Sequence, residues 1–507
     1  MEIYQSSLKK GLPKETKSIC PICHQVIDAR IYEDNGRVMI SKNCPEHGSF
    51  KDVYWSDVEM YLKAEEYSYD GRVEKINYET KKGCPYDCGL CKEHLSTTIL
   101  ANIDLTNRCN LSCSFCFANA NVKGYVYEPS LDDVVEMLKA LRSENPPCPA
   151  VQFAGGEPTL RKDLFDIIKI AKEMKFAQIQ LATNGIKLRD INYVKKLKEA
   201  RLSTIYLHFD GFTTDIEPYL DIKKEVIENC RRCDLGIVLV PTVFKGFNDH
   251  QIGDFINFAV DNIDVIRGIN YQPLSFSGRA TEDERDKKRF TIPDLLDEIE
   301  KQTHGRILKK DFYPVPCVIP ISKLVEVYKG KLQVEFSAHP HCGMATYLFV
   351  DKQNMDKLIP INRFVDVDKF FYGIEQIVNN LSSKGIINKV RAIRNGLKII
   401  FNYIDNSKKP DSLDFTSMIE SILINQNYKS LGDFHKNALF VGSMHFQDLY
   451  NMDIERLKRC VIHYATPSPE RRIIPFCAYN TLYREEIEKK YSIPLSEWRK
   501  KYGDERE

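Results

Sequence analysis

Three cysteines stand in the stretch DLTNRCNLSCSFCFA, residues 104 to 118. Cys109, Cys113 and Cys116 are spaced C-x3-C-x2-C, with Phe115 just before the last thiol. Thiolates at short local spacing are the ligand set of iron–sulfur clusters. A closed structural metal site takes four protein ligands, whereas a site that does chemistry keeps one position free. Three thiols on one loop therefore suit a four-iron cluster whose last iron is left for a small molecule.

Other thiols repeat the theme. Cys84, Cys88 and Cys91 in CPYDCGLC have the same spacing and offer a second cluster or, with His94, a zinc ion. Residues 20 to 48 read as a small ribbon: a CPIC knuckle, two strands joined at DNG, then NCPEHG. Cys20, Cys23 and Cys44 are its ligand candidates, with His47 or a thiolate from elsewhere as the fourth, and ligand type alone does not separate zinc from iron. Cys317, Cys342, Cys460 and Cys477 each lie in a loop flanked by Pro or His and would hold a third cluster if they converge. The competing reading is that a single cysteine is a small buried apolar side chain. Cys148 reads as unliganded. Cys230 and Cys233 read as packing at a helix end, with one of them open to serving as fourth ligand for the 84 to 91 set.

The setting agrees with metal over disulfides. Sixteen cysteines in 507 residues, without an apolar N-terminal leader or an apolar run long enough to span a bilayer, point to a reducing cytoplasm. The 72 basic and 71 acidic residues leave a net charge of +1, which argues against a nucleic-acid binder.

What must position the first triad is a repeating α/β pattern. Short β-branched runs occur at 99 to 106, 150 to 154, 178 to 183, 204 to 210, 235 to 243 and 265 to 273. Between them lie helical stretches such as SLDDVVEMLKALRS, in which Ser130 and Asp133 make a capping box and Leu131, Val134, Val135, Leu138 and Leu141 share a face. Strand and helix in alternation give right-handed βαβ units and a parallel sheet. Chemistry in such sheets sits at the C-terminal strand ends. The cysteine loop follows the first strand, GGEPTL (155 to 160) the second, TNG (183 to 185) the third and DGF (210 to 212) the fourth.

A three-cysteine loop after strand one and a GGEP loop after strand two resemble the radical S-adenosylmethionine (SAM) superfamily. The resemblance implies an α/β fold: a partial (βα)6 radical SAM barrel with a small N-terminal metal ribbon and a mainly helical, cluster-binding C-terminal region. The implied divisions are a ribbon at 1–70, an auxiliary cluster segment at 71–98, the barrel at 99–310 and a C-terminal auxiliary-cluster and substrate domain at 311–507. It also implies a [4Fe-4S] cluster on Cys109, Cys113 and Cys116 with SAM on the open iron. Gly155, Gly156 and Glu157 would meet the methionine amino group, and Thr183, Asn184, Asp210 and the edge at 240 to 243 would line the ribose and adenine. For Asn184 and Asp210 ordinary turn chemistry is the competing reading.

The strings NRCNLSCSFCFANA, VPTVFKGFNDHQIG, HPHCGMATYLFVD and RIIPFCAYNTLYR resemble archaeal tetraether lipid synthases. That likeness implies radical C–C coupling between isoprenoid chain ends of archaeal diether lipids, two auxiliary [4Fe-4S] clusters, one mononuclear iron or zinc, a low-potential donor such as a ferredoxin, and contact with the inner membrane surface. The stretch at 385 to 404 carries an apolar stripe with Lys389, Arg391, Arg394 and Lys398 near its edges, which reads either as a membrane-surface helix or as a core helix with a solvated face. Two other functions fit the same residues: a radical SAM methylase of a pterin-like cofactor, and a non-catalytic iron–sulfur or zinc protein. A long apolar tunnel would favour the lipid; a short polar pocket with stacking aromatics would favour the heterocycle.

Overall fold

The computed structural model describes residues 5–121, 123–280, 285–351, 354–381, 396–398, 400–410, 413–415, 417 and 438–503. Alternating apolar and polar residues fold the N-terminal segment into an antiparallel sheet of β1 (Lys14–Ile19), β2 (Val26–Asp34), β3 (Arg37–Cys44) and β4 (Gly48–Trp55), in that order. On β2, Ile27, Ala29 and Ile31 are buried while Asp28 and Arg30 face water. The β2–β3 turn falls at Asn35 and Gly36, with φ of 53° and 76°, as a two-residue hairpin turn with positive φ at both positions requires.

The next elements are β5 (Leu100–Thr106), the short β6 (Tyr125–Tyr127), β7 (Ala150–Gly155), β8 (Gln178–Thr183), β9 (Thr204–His208), β10 (Gly236–Val240), β11 (Thr242–Val243) and β12 (Ile266–Pro273). Strands β5, β7, β8, β9, β10 and β12 lie side by side in chain order and all parallel. The expected strand at 235 to 243 breaks at Pro241, which has no N–H for the ladder. The helix Leu131–Arg142 starts as expected: Ser130 Oγ accepts the Asp133 N–H at 3.1 Å and the Asp133 carboxylate accepts the Ser130 N–H at 3.3 Å. It buries Val134, Met137, Leu138 and Leu141 and leaves Leu131 exposed.

The C-terminal region departs from the expectation of a mainly helical unit. Among the described residues it supplies β13 (Tyr313–Pro314), β14 (Gly343–Asp351), β15 (Asn354–Pro360), β16 (Ala438–Met444), β17 (Ile462–Ala465), β18 (Ile473–Pro475) and β19 (Ser492–Pro494). A six-stranded open sheet has two edges whose N–H and C=O groups need partners. β16 joins one edge parallel to β12 and is followed by antiparallel β14; β17 joins the other edge parallel to β5 and is followed by antiparallel β18. β19 pairs with β6, which brings the helix Leu495–Tyr502 beside the cysteine loop. The stretch at 385 to 404 lies mostly outside the described residues. Its described members Leu397, Ile400 and Ile404 are buried against Phe371, Ile374 and Ile377. No described helix is long and apolar enough to cross a membrane.

Candidate active site around the cysteine loop

β5 ends at Thr106 and delivers the chain to Cys109, Cys113 and Cys116, all partly exposed and none in a disulfide. Polar side chains hold this loop. Asn121, at φ 69°, accepts the Cys109 N–H at 2.9 Å and donates to the carbonyls of Cys109 and Leu111. Asn107 pins the loop's base to β6, donating to Tyr125 O at 3.1 Å and accepting from Tyr127 N at 3.0 Å. From beyond β12, Arg279 donates to Cys113 O at 2.7 Å and to Asn119 Oδ1 at 3.2 Å. Asn121 and Arg279 were not among the expected site residues. The available signal was their position in loops that follow β5 and β12 at their C-terminal ends.

Burial pushes the Cys109 thiol up to about 12 and raises Cys113 as well. Deprotonated sulfur is favoured here only against a compensating cation. Three soft donors on one half-open loop fit a four-iron cluster with one iron left free.

The glycines of the second loop let it pack closely on the backbone of the first. Gly155 has φ +122°, and a Cβ on it would collide with the Thr106 carbonyl; a Cβ on Gly156 would collide with the Arg108 carbonyl. Gly156 N–H donates to Thr106 O at 2.7 Å and Glu157 N–H to Arg108 O at 2.8 Å. The Glu157 side chain, fully buried, likewise turns inward. It accepts from Thr159 Oγ1 at 2.6 Å, Thr183 Oγ1 at 2.7 Å and Asn184 N at 2.8 Å. Asn184 passes the brace on, donating to Asn110 Oδ1 at 2.8 Å while its Oδ1 accepts the Ile186 N–H at 3.0 Å, as in an Asx turn. Gly155, Gly156, Glu157, Thr183 and Asn184 thus form one frame that fixes the cysteine loop.

Asp210 lies at the mouth too. Its carboxylate accepts the Thr242 N–H at 2.9 Å and stands 3.0 Å from His208 Nε2, while Lys223 reaches the His208 carbonyl and lies 3.8 Å from Glu217. Burial pushes Asp210 up to about 7 and, with Lys223 nearby, His208 down to about 4. Burial thus favours the neutral form of each side chain.

Beside the loop is a short cleft. Phe115 and Phe117 from the cysteine loop face Phe446 and Phe476, with Thr242 and Gln272 among the polar groups on the wall. Phe446 and Phe476 stack at 4.1 Å between centroids. The enclosed part is about 40 Å³. Cys477 lines the same cleft.

The remaining thiols divide clearly. In the ribbon, Cys20, Cys23, Cys44 and His47 present their ligand atoms within 4.8 Å of one another, which answers which fourth ligand the ribbon offers. The N–H groups of Cys23 and Ile22 hold the Cys20 thiol below its ordinary value against the effect of burial. Cys84, Cys88 and Cys91 converge with His94 on a narrow cavity, and His94 Nε2 is 2.9 Å from Cys460 O. Around Arg456, whose Nε is 3.3 Å from Cys342 Sγ, gather Cys342, Cys460 and Cys477; burial and then its neighbours Cys477 and Cys342 hold the Cys460 thiol well above its usual range. Cys317 sits in a separate apolar cluster with Tyr67, Leu324 and Phe349. Cys148 donates to Ala150 O at 3.2 Å, and Cys230 and Cys233 pack into the barrel core.

Residues 103–259 match the family described as Radical SAM superfamily, and residues 12–56 match the HMPTM N-terminal zinc ribbon domain. The chain is 50% identical over 500 residues, 96% of its own length and 97% of the relative's, to the 7,8-dihydro-6-hydroxymethylpterin dimethyltransferase of Methanocaldococcus jannaschii. It is 32% identical over 205 residues, 38% of its length and 61% of the relative's, to the GTP 3',8-cyclase of Clostridium acetobutylicum. The crystal structure of methylornithine synthase aligns with 41% of this chain and 64% of that one at 15% identity and a TM-score of 0.33. The expectation of lipid coupling is overturned by the full-length relative, which is named for a pterin and not for a lipid. A shared radical SAM barrel had served both readings equally, because fold does not fix substrate. By its match along nearly the whole of both sequences, the chain belongs to the 7,8-dihydro-6-hydroxymethylpterin dimethyltransferase family of radical SAM enzymes.

Proposed function

We propose that this protein methylates a reduced pterin such as 7,8-dihydro-6-hydroxymethylpterin. The observation that carries the reading is the cleft beside Cys116: short, walled by Phe115, Phe117, Phe446 and Phe476, and edged by Thr242 and Gln272. Flat aromatic walls stack a flat heterocycle, and amide and hydroxyl groups at the edge offer donors and acceptors to its ring nitrogens and carbonyl. Support also comes from the relative's printed substrate.

When bound, the cluster on Cys109, Cys113 and Cys116 and its SAM supply a 5′-deoxyadenosyl radical able to take hydrogen from an unactivated carbon. The chain's part is to hold the loop through Asn121, Arg279 and the Glu157 frame, and to offer the phenylalanine wall of the cleft to one side of the ring. Auxiliary [4Fe-4S] clusters on Cys84, Cys88 and Cys91, and on Cys342, Cys460 and Cys477, belong to the same proposal; Cys317, expected as a fourth ligand of the second set, is buried in a different apolar cluster and is not one of them. So do a single zinc or iron in the ribbon and a low-potential donor such as a ferredoxin.

The test is anaerobic incubation of reconstituted, reduced protein with SAM and 7,8-dihydro-6-hydroxymethylpterin, followed by mass spectrometry. The expected products are pterins heavier by one and then two methylene masses; for each methyl added, one SAM is reduced to methionine and 5′-deoxyadenosine, and a second SAM gives up its methyl and leaves as S-adenosylhomocysteine, the reductant supplying one electron to each step, all absent for Cys109→Ala. Formation of 5′-deoxyadenosine with an unchanged pterin would reject the substrate and keep the radical chemistry.

A further inference from the structure

The cysteine loop is held on one side by its own barrel neighbours, and from the β12 side Arg279 braces it. Arg279 makes four bonds to it. Its backbone N–H donates to Cys116 O at 3.2 Å, and its guanidinium donates to Cys113 O at 2.7 Å, to Asn119 Oδ1 at 3.2 Å and to Ala120 O. Two of these acceptors are the carbonyls of prospective cluster ligands.

The segment that carries Arg279 is itself anchored. Phe276 N–H donates to Asp448 Oδ2 at 3.1 Å and Ser275 Oγ to Gln447 O at 3.3 Å. Asp448, fully buried, is gripped by Arg289 at 2.6 Å, and the Arg289 guanidinium lies 4.7 Å from the centroid of Phe276. The other side of that guanidinium holds Asp52, with Nε at 3.1 Å from Oδ1. Asp52 is on β4, in register with Ile40 on β3, the strand that ends in Cys44. Side-chain exposures of 3% for Arg289, 3% for Asp52 and 0% for Asp448 make this a dry chain of charges. Such a chain fixes its members because each buried charge is costly without its partner.

We propose that Arg279 is the positioning residue that sets the shape of the three-cysteine loop, and that the N-terminal ribbon holds it in place through Asp52, Arg289 and Asp448. The ribbon sheet then acts on the catalytic centre without touching it: it fixes Asp52, and Asp52 fixes the clamp. This rests on the loop's being the radical SAM cluster site and is independent of which substrate is used.

The experiment compares the full-length protein with Arg279→Ala, Arg279→Lys and Asp52→Asn, reconstituted alike. Readouts are iron and sulfide per chain, the electron paramagnetic resonance spectrum of the reduced cluster before and after SAM is added, and ribbon metal content as the folding control. Arg279→Ala is expected to keep ribbon metal but to lose or broaden the SAM-induced spectral change. Arg279→Lys, which keeps charge without the planar fork, should fall between. Asp52→Asn should shift the spectrum in the same direction, less strongly. A normal SAM response in Arg279→Ala would overturn the clamp. A normal response in Asp52→Asn beside an altered one in Arg279→Ala would overturn the link to the ribbon. If the unaltered protein gave no SAM response, the cluster reading itself would fail and the inference with it.

Discussion

The same C-x3-C-x2-C spacing stands on either side of β5, and the two copies occupy opposite surroundings. Cys109, Cys113 and Cys116 follow the strand, are all partly exposed, and are held by polar side chains at an open cleft. Cys84, Cys88 and Cys91 precede it; Cys88 and Cys91 are buried, and Arg472 closes the site by donating to the Cys88 carbonyl at 2.8 Å. The neighbouring Cys84 thiol, and then burial, hold Cys88 well above the usual thiol range. Spacing decides which sulfurs converge, whereas burial decides what else can reach them. An open triad can take a cofactor and a substrate; a closed one can pass electrons or stiffen the fold.

That contrast is breakable. The largest effect is expected from Cys109→Ser, which should drop 5′-deoxyadenosine formation to background with little change in melting temperature. Cys88→Ser should do the reverse, destabilising the fold by about 1–3 kcal/mol through a polar group placed in an apolar cluster, with SAM cleavage still detectable by mass spectrometry. If both variants behaved alike, the open and closed distinction would be void.

Arg484 is next. It reaches Asp104 on β5 and lies 3.2 Å from Glu488, all three buried. Arg484→Met strands Asp104, while Glu488 keeps Lys123 at 2.9 Å, and should cost about 3–5 kcal/mol in urea unfolding. Because Arg484 joins β5 to the segment bearing Cys477, the iron content of both regions should fall together. A smaller and one-sided effect is expected of Asn121→Ala, which removes the amide pairing with Cys109. Roughly 1–3 kcal/mol of local stabilisation is lost, visible as faster hydrogen exchange across 109 to 116 with 84 to 91 unchanged.

The smallest test lies in the connection between the two sets. Glu144, buried beside Thr98, is pushed up to about 8 by burial. The folded protein keeps this proton while the unfolded chain releases it near the ordinary glutamate value. Stability from this group is therefore complete below that value and is lost as pH rises toward 8. Glu144→Gln should flatten the decline of unfolding free energy between pH 5 and 8, read from urea melts, by at most about 1.4 kcal/mol per pH unit. An unchanged slope would mean that Glu144 titrates normally.

Local signals carried furthest in the sequence. The ribbon ligands, the Asn35–Gly36 turn, the Ser130–Asp133 cap and six barrel strands follow from residue type and short-range period. What sequence pattern could not show is pairing across long separations: Gly268 lies opposite Phe440, and Leu100 opposite Ile462, with nothing in either strand naming its partner. The GGE loop shows the same limit at a finer scale. Its glycines signal close approach, but whether to a ligand or to Thr106 and Arg108 depends on how two loops meet. Substrate was the least legible, because a three-cysteine loop and a barrel serve many reactions, and the cleft that discriminates is assembled from Phe115, Gln272, Phe446 and Phe476, far apart in the chain.

The strands that close the barrel's two flanks also set a timetable for its synthesis. While the chain is still emerging from the ribosome, the six parallel strands up to β12 are complete in sequence, yet β16 and β17 have not been made. Chains are synthesised at about 5–20 residues per second and fold domain by domain, so for roughly 10 to 40 seconds both rims present unsatisfied backbone to any strand that drifts past. A fragment ending at residue 310 would stay in that state permanently and should precipitate where the whole chain does not.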